Sequence, residues 1–164
     1  MGRVARDDQL LTTFRFEVSF DRAAGDGPQK LGDGGFQEVT GLEVEMDVAE
    51  YQEGGRNDGV IRRVGRAKYQ PLVCKRGMFM PSGGDAESEL WQWFQDVVVG
   101  VRPVRRYNGS VRVQDQAGET KATWRFVRAL PAKIVGPQLN GKSGEVAVEE
   151  LHLAHEGLLL EGTT

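Results

Sequence analysis

Apolar and polar residues first alternate over residues 13–20, TFRFEVSF. Phe14, Phe16, Val18 and Phe20 fall on one side of the chain, the period-two pattern of a half-buried strand. Residues 21–35 are rich in Gly and Asp, include Pro28, and read as a loop. Alternation returns over 36–53. Val44, Met46 and Val48 point one way and Glu43, Glu45 and Asp47 the other, so three carboxylates share one face of a strand. Gly41 predicts a bulge or bend just before them. Residues 54–59, GGRNDG, are a loop signal, and residues 69–75, YQPLVCK, a short apolar strand with Pro71 marking an edge or a start. A further loop covers 77–84.

The period then changes. Over residues 85–99, Leu90, Trp93, Phe94, Val97 and Val98 recur at spacings of three and four and form one apolar stripe, which predicts an amphipathic helix. Asp85 is its expected N-cap, Glu87 and Glu89 suit the positive end of the helix dipole, and Gly100 is the expected C-cap, with Pro103 beyond. Residues 107–114 and 121–130 form a predicted hairpin. Val111 and Val113 alternate in one arm, Trp124 and Phe126 in the other, and 115–119 make the turn. Residues 131–137 hold another short strand. Residues 144–160 begin as a strand through Val146 and Val148. The pattern then shifts to Leu151 and Leu153, which predicts a bulge at Glu149-Glu150. A helical stripe of Val148, Leu151, His155, Leu158 and Leu159 competes with that reading.

Six to eight strands, one helix and no internal repeat describe one domain over residues 1–164, with residues 1–12 as an N-terminal arm. The expected class is mainly β: an antiparallel barrel or sandwich with one flanking α-helix at about residues 85–99.

Composition supports this class. Of 164 residues 22 are Gly and only 6 are Pro, which fits a chain with many turns. The net charge of −3 argues against a surface built wholly for nucleic acid. Cys74 is the single cysteine, which rules out an intramolecular disulfide and fits a reducing compartment. The first eleven residues carry Arg3, Arg6, Asp7 and Asp8 without an apolar core, so no cleaved leader is expected, and no stretch has the roughly 18 apolar residues of a membrane helix.

Candidate chemistry is sparse. Residues 136–143, GPQLNGKS, match the phosphate-loop spacing, in which backbone N–H groups and a helix N-terminus cradle phosphates. Strand-like alternation follows instead of a helix, so a glycine-rich turn is the better reading. His152 and His155 could share a metal only on a helix, and no third ligand accompanies them. Cys74 sits in an apolar run, as a small buried residue does. No cofactor, metal site or catalytic group is expected. Arg62, Arg63, Arg66 and Lys68, with Arg102, Arg105 and Arg106, form a basic set with few interleaved aromatics, which suits a solvated or protein-facing surface.

The distribution of charge is more informative. Residues 36–53 hold six acids and no base, whereas 54–76 hold seven bases and one acid. Two arrangements follow. The basic segment of one copy meets the acidic strand of the next, a head-to-tail contact that builds rings or filaments. Alternatively the two segments lie side by side in one chain and pair across strands.

The order of several segments resembles the tail-tube proteins of contractile phages and phage-like extracellular injection systems. They are FRFEV (14–18), FQEVTGL (36–42), YQEGGRN (51–57), LVCKRG (72–77), LWQWF (90–94), WRF (124–126), ALPAK (129–133) and LHLAHEGL (151–158). The resemblance implies a structural subunit, not an enzyme, that forms homohexameric rings stacked into a hollow tube. Its implied partners are copies of itself, a sheath protein, baseplate and tube-terminating proteins, and cargo translocated in the lumen, with no membrane anchor. Assembly in a bacterial cytoplasm and a place in a virion or a released particle follow. A long loop, here 51–68, would reach the adjacent ring through Tyr51, Glu53, Gly54, Gly55, Arg56, Asn57, Arg62, Arg63, Arg66 and Lys68. Glu43, Glu45 and Asp47 would line the lumen and repel anionic cargo. Leu90, Trp93, Phe94, Val97 and Val98 would pack the helix. Alternatives are a tube-initiating or baseplate-proximal paralogue, or a stand-alone small β-barrel ligand-binding protein.

Overall fold

A computed structural model describes residues 10–13, 15–22, 35–55, 57–78, 84 and 88–162. The elements in chain order are β1 (Phe16–Arg22), β2 (Phe36–Thr40), β3 (Val44–Tyr51), β4 (Ile61–Tyr69), β5 (Leu72–Gly77), α1 (Glu89–Val98), β6 (Tyr107–Gln114), β7 (Thr120–Val135), β8 (Val148–Ala154) and β9 (Gly157–Leu160). The mainly-β expectation with one helix holds. Every strand pair is antiparallel.

Seven strands form one bent sheet in the order β1-β6-β7-β8-β5-β2, with β9 added on β7. The sheet folds over on itself without closing into a barrel. Among the described residues its two end strands are not paired with each other, and Phe20 of β1 packs edge-on against Phe36 of β2, ring centroids 6.0 Å apart. The bend lies inside β7. The first part of β7 pairs with β6 and β9, and its last part with β8. Arg128 sits at the corner with φ +51, a left-handed conformation that costs a non-glycine residue energy. The corner is held by neighbours: the Arg128 N–H donates to Asn108 Oδ1 at 2.9 Å, and the Arg128 guanidinium pairs with Glu156 at 2.8 Å. The separate strand expected at 131–137 is therefore the end of β7. Likewise, the expected bulge at Glu149-Glu150 is absent; the pattern breaks at the β8–β9 turn, residues 155–156, where the chain moves to the other half of the sheet.

The core lies between the two halves. Phe20, Leu72, Leu90, Val111, Phe126, Leu151 and Leu153 are buried there. In β5 and β8 every second residue is buried, and that alternation runs on into Arg76 and Glu149. These two residues oppose each other across the strands, each 1% exposed, and Arg76 Nε donates to Glu149 Oε1 at 2.6 Å. Trp91 Nε1 on α1 donates to the other carboxylate oxygen at 3.1 Å, so this polar group also docks the helix.

The helix is shorter than expected at its start. Asp85 and Glu87 lie outside the described residues, and Ser88 takes the N-cap position without a side-chain hydrogen bond. Gly100 ends the helix as expected, with φ +88 and its N–H donating to the Val97 carbonyl. Leu90 and Trp93 are buried, Phe94 and Val97 are half-buried, and Val98 is 68% exposed, so the packed stripe stops at Val97. Trp93 donates Nε1–H to the Arg105 carbonyl and packs against Tyr107 at 4.8 Å.

Candidate assembly surface

Strands β3 and β4 stand apart from the main sheet as a two-stranded ribbon. The segment expected to be a long loop is thus mostly strand. Arg62, Arg63, Arg66 and Lys68 lie in β4, and only residues 52–60 form the connection, with Gly54 and Gly55 in its turn and Gly55 at φ +92. Arg56 lies outside the described residues; Glu53 and Asn57 are exposed beside the turn. All of β3 is exposed, and all of β4 except its half-buried end residues Ile61 and Tyr69. That uniform exposure removed the signal: IRRVGRAKY has no buried face to write an alternation into its sequence.

Gly65 adds a second irregularity. The register slips between Met46 and Val48, leaving Gly65 and Arg66 both opposite Asp47. At Gly65 the backbones approach so closely that a Cβ would lie 2.3 Å from the Asp47 carbonyl oxygen. Only glycine fits there.

Cross-strand pairing sorts the ribbon into two faces. Val44 opposes Tyr69, Met46 opposes Ala67 and Val48 opposes Val64, so one face is apolar until its distal end, where Glu50 opposes Arg62. Val64 is 78% exposed on it. On the other face Glu45 opposes Lys68 and Ala49 opposes Arg63. Lys68 Nζ is 2.8 Å from Asp47 Oδ1, and that bond and charge hold the ammonium above its ordinary range. The Arg63 guanidinium lies over the Tyr51 ring at 5.0 Å. At the distal end of the apolar face Arg62 and Glu50 approach to 4.0 Å. Part of the charge split is therefore satisfied within one chain, across the two strands.

The other sequence signals resolve simply. No helix follows residues 136–143. Asn140 Oδ1 accepts from the Lys142 N–H at 3.0 Å, so the segment is a turn closed on its own side chain. His152 pairs with Glu150 at 2.5 Å, whereas His155 turns towards Gln70. Cys74 is buried in β5, and burial pushes its thiol up to about 12. Among the described residues no group of three His, Cys, Asp or Glu is placed to hold a metal ion, and no helix is long and apolar enough to cross a membrane.

An incompletely closed β sandwich with one docked helix and a free-standing amphipathic ribbon is the build of a self-associating structural subunit. The model of the T4-like virus tail tube protein gp19 matches residues 12–159, and the chain belongs to that family of tail tube proteins. Among solved structures, a chain of the anti-feeding prophage baseplate is 22% identical with a TM-score of 0.75, covering 94% of this chain and 97% of that one. A chain of the PVC extracellular contractile injection system sheath-tube complex in its extended state is 20% identical, with a TM-score of 0.75 and coverage of 99% and 100%. A third, from the sheath/tube terminator of the PVC system in the extended state, is 21% identical with a TM-score of 0.74, over 95% and 99%. At these identities the three share the fold. No curated protein matches the chain.

Proposed function

We propose that this tail tube protein forms homohexameric rings that stack into a hollow tube, and that the β3–β4 ribbon is the main joint between copies. The observation that carries this is the ribbon's apolar face. A two-stranded ribbon is marginal in water by itself, and full burial of a Val or Met side chain stabilises by roughly 1.5–3 kcal/mol. Val44, Met46, Val48 and Val64 gain that energy only when another surface covers them. Copies of one chain offering different surfaces to each other build a ring or a filament.

In this arrangement the apolar face lies on a neighbouring copy, and the charged face, with Glu43, Glu45 and Asp47, turns to the water-filled lumen. Tyr51, Glu53, Gly54, Gly55 and Asn57 at the ribbon's tip, with Arg62 and Arg63 beside them, meet the next ring, while Arg66 and Lys68, opposite Asp47 and Glu45 nearer the root, stay on the lumen face. The whole chain acts as one domain; residues 1–9 of the expected N-terminal arm lie outside the described residues. Sheath, baseplate and tube-terminating proteins are its further partners, and the tube conducts cargo. It assembles in a bacterial cytoplasm and works in a virion or a released injection particle. The role is mechanical and needs no catalysis or cofactor.

Negative-stain electron microscopy with light-scattering mass tests this. Rings of six copies of the 18.1 kDa chain, about 109 kDa together, or stacked tubes are expected. Val64→Asp should keep the fold and abolish the rings. A wild-type chain that stays monomeric even with baseplate and sheath proteins present would overturn the proposal, as would normal rings from Val64→Asp.

A further inference from the structure

A titratable side chain lies where the ribbon meets the body. His155, in the β8–β9 turn, packs its ring 5.4 Å from that of Tyr69, the last residue of β4, and 6.4 Å from that of Phe126 in β7. Its Nε2 lies 3.1 Å from the carbonyl oxygen of Gln70, in the short link from β4 to β5. A carbonyl can only accept, so Nε2 carries the proton. At the other root of the ribbon Gly41, with φ +91, passes so close to the link that a Cβ would lie 2.1 Å from the Pro71 carbonyl oxygen. The ribbon thus leaves the body through two crossed backbone segments, and His155 ties one of them to the β8–β9 corner.

We propose that His155 is a proton-sensitive clasp: neutral, it holds the root of the β3–β4 ribbon against the body; protonated, it releases it. The second proton would go to Nδ1, which is buried and makes no hydrogen bond. Nearby ionisable groups offer little compensation. Tyr69 presents its ring, and Lys68 is turned to Asp47. Glu156, in the same turn, is held by Arg106 at 3.3 Å and by Arg128 at 2.8 Å. His152 on β8 is engaged by Glu150. Phe126 is the β7 contact and carries no charge. Among the described residues no carboxylate influences the His155 ring.

Burial accordingly lowers the affinity of His155 for its proton from the ordinary 6.5, while the backbones of Gln70 and Gly157 oppose this less; the Gly157 backbone makes no hydrogen bond of good geometry with Nδ1. The clasped state therefore binds the proton more weakly than the released state. Clasping is fully favoured above about pH 6.5 and is lost as pH falls below it, towards the lower value of the clasped ring. The clasp is independent of how copies of the chain assemble.

Amide hydrogen exchange on the dilute full-length chain, expressed relative to intrinsic rates at about pH 7.5 and about pH 5, tests the clasp. Protection of residues 44–51 and 61–70 should fall severalfold at the lower pH, while the main sheet stays protected. His155→Phe keeps an aromatic ring without the proton and should remove this dependence, and His152→Gln should keep it. An equal loss in His155→Phe, or equal protection at both pH values in the wild type, would overturn the proposal. Should His155→Phe not fold, an NMR titration of the wild-type imidazole decides. A His155 midpoint below 6.5, shared by the Gly65 and Tyr69 amides, supports the clasp; a midpoint at or above 6.5, or amides that do not follow it, overturns it.

Discussion

At the scale of single residues, the most consequential side chains are two that no apolar pattern marks. Arg76 and Glu149 sit at positions where β5 and β8 otherwise place Leu and Cys, and each stabilises the other's charge in a site with almost no water. Breaking such a pair leaves one ion buried alone. Arg76→Ala should lower the unfolding free energy by roughly 3–5 kcal/mol, read as a lower midpoint in denaturant unfolding. Replacing both, as Arg76→Met with Glu149→Leu, should recover most of that loss, because a packed apolar pair needs no counter-charge and half-buried Trp91 can donate to water instead. A double variant as unstable as the single one would show that the helix needs the Trp91 bond itself. Cys74 yields a second prediction. With its thiol at about 12, the folded protein should not react with a disulfide reagent at about pH 8, and labelling should track unfolding.

Elements differ in how much they depend on the body. Helix α1 is anchored by Leu90 and Trp93 in the core and by two indole N–H bonds, one to Glu149 and one to the Arg105 carbonyl. The β3–β4 ribbon is anchored at its roots and otherwise paired with itself. Damage should therefore stay local there. Gly65→Ala places a methyl group against the Asp47 carbonyl and should open the bulge. We expect lost exchange protection in β3 and β4 and loss of assembly, while global stability changes by less than about 1 kcal/mol. Cooperative unfolding of the whole chain at a lower midpoint would mean that the ribbon is part of the core unit.

For the whole molecule, the question is what the isolated chain leaves unfinished. An apolar ribbon face open to water and two sheet ends, β1 and β2, that pair with no further strand among the described residues are features a monomer must protect and an assembly uses. Arg63 lies on the charged face, over Tyr51, and is exposed. Arg63→Glu should therefore leave folding intact by circular dichroism and shorten or abolish tubes under the electron microscope. Tubes of normal length would remove Arg63 from the contact between rings.

The amino-acid sequence by itself determined the elements that bury one face. The β5, β6 and β8 strands and the core side of α1 were legible because half of their residues meet the core and half meet water or a second layer, which writes period two or period 3.6 into the chain. The resemblance in segment order carried the family, since it rests on many weak matches rather than on one motif. Four things were decided only in three dimensions. The β4 strand is exposed on both sides in the single chain, so nothing in its composition distinguishes it from a loop. The β7 corner depends on Asn108 and Glu156, which lie 20 and 28 residues from Arg128 in the chain and offset the strain of its backbone. The Arg76–Glu149 pair and the His155 clasp join residues 73 and 85 positions apart, and only the folded chain brings such groups into contact.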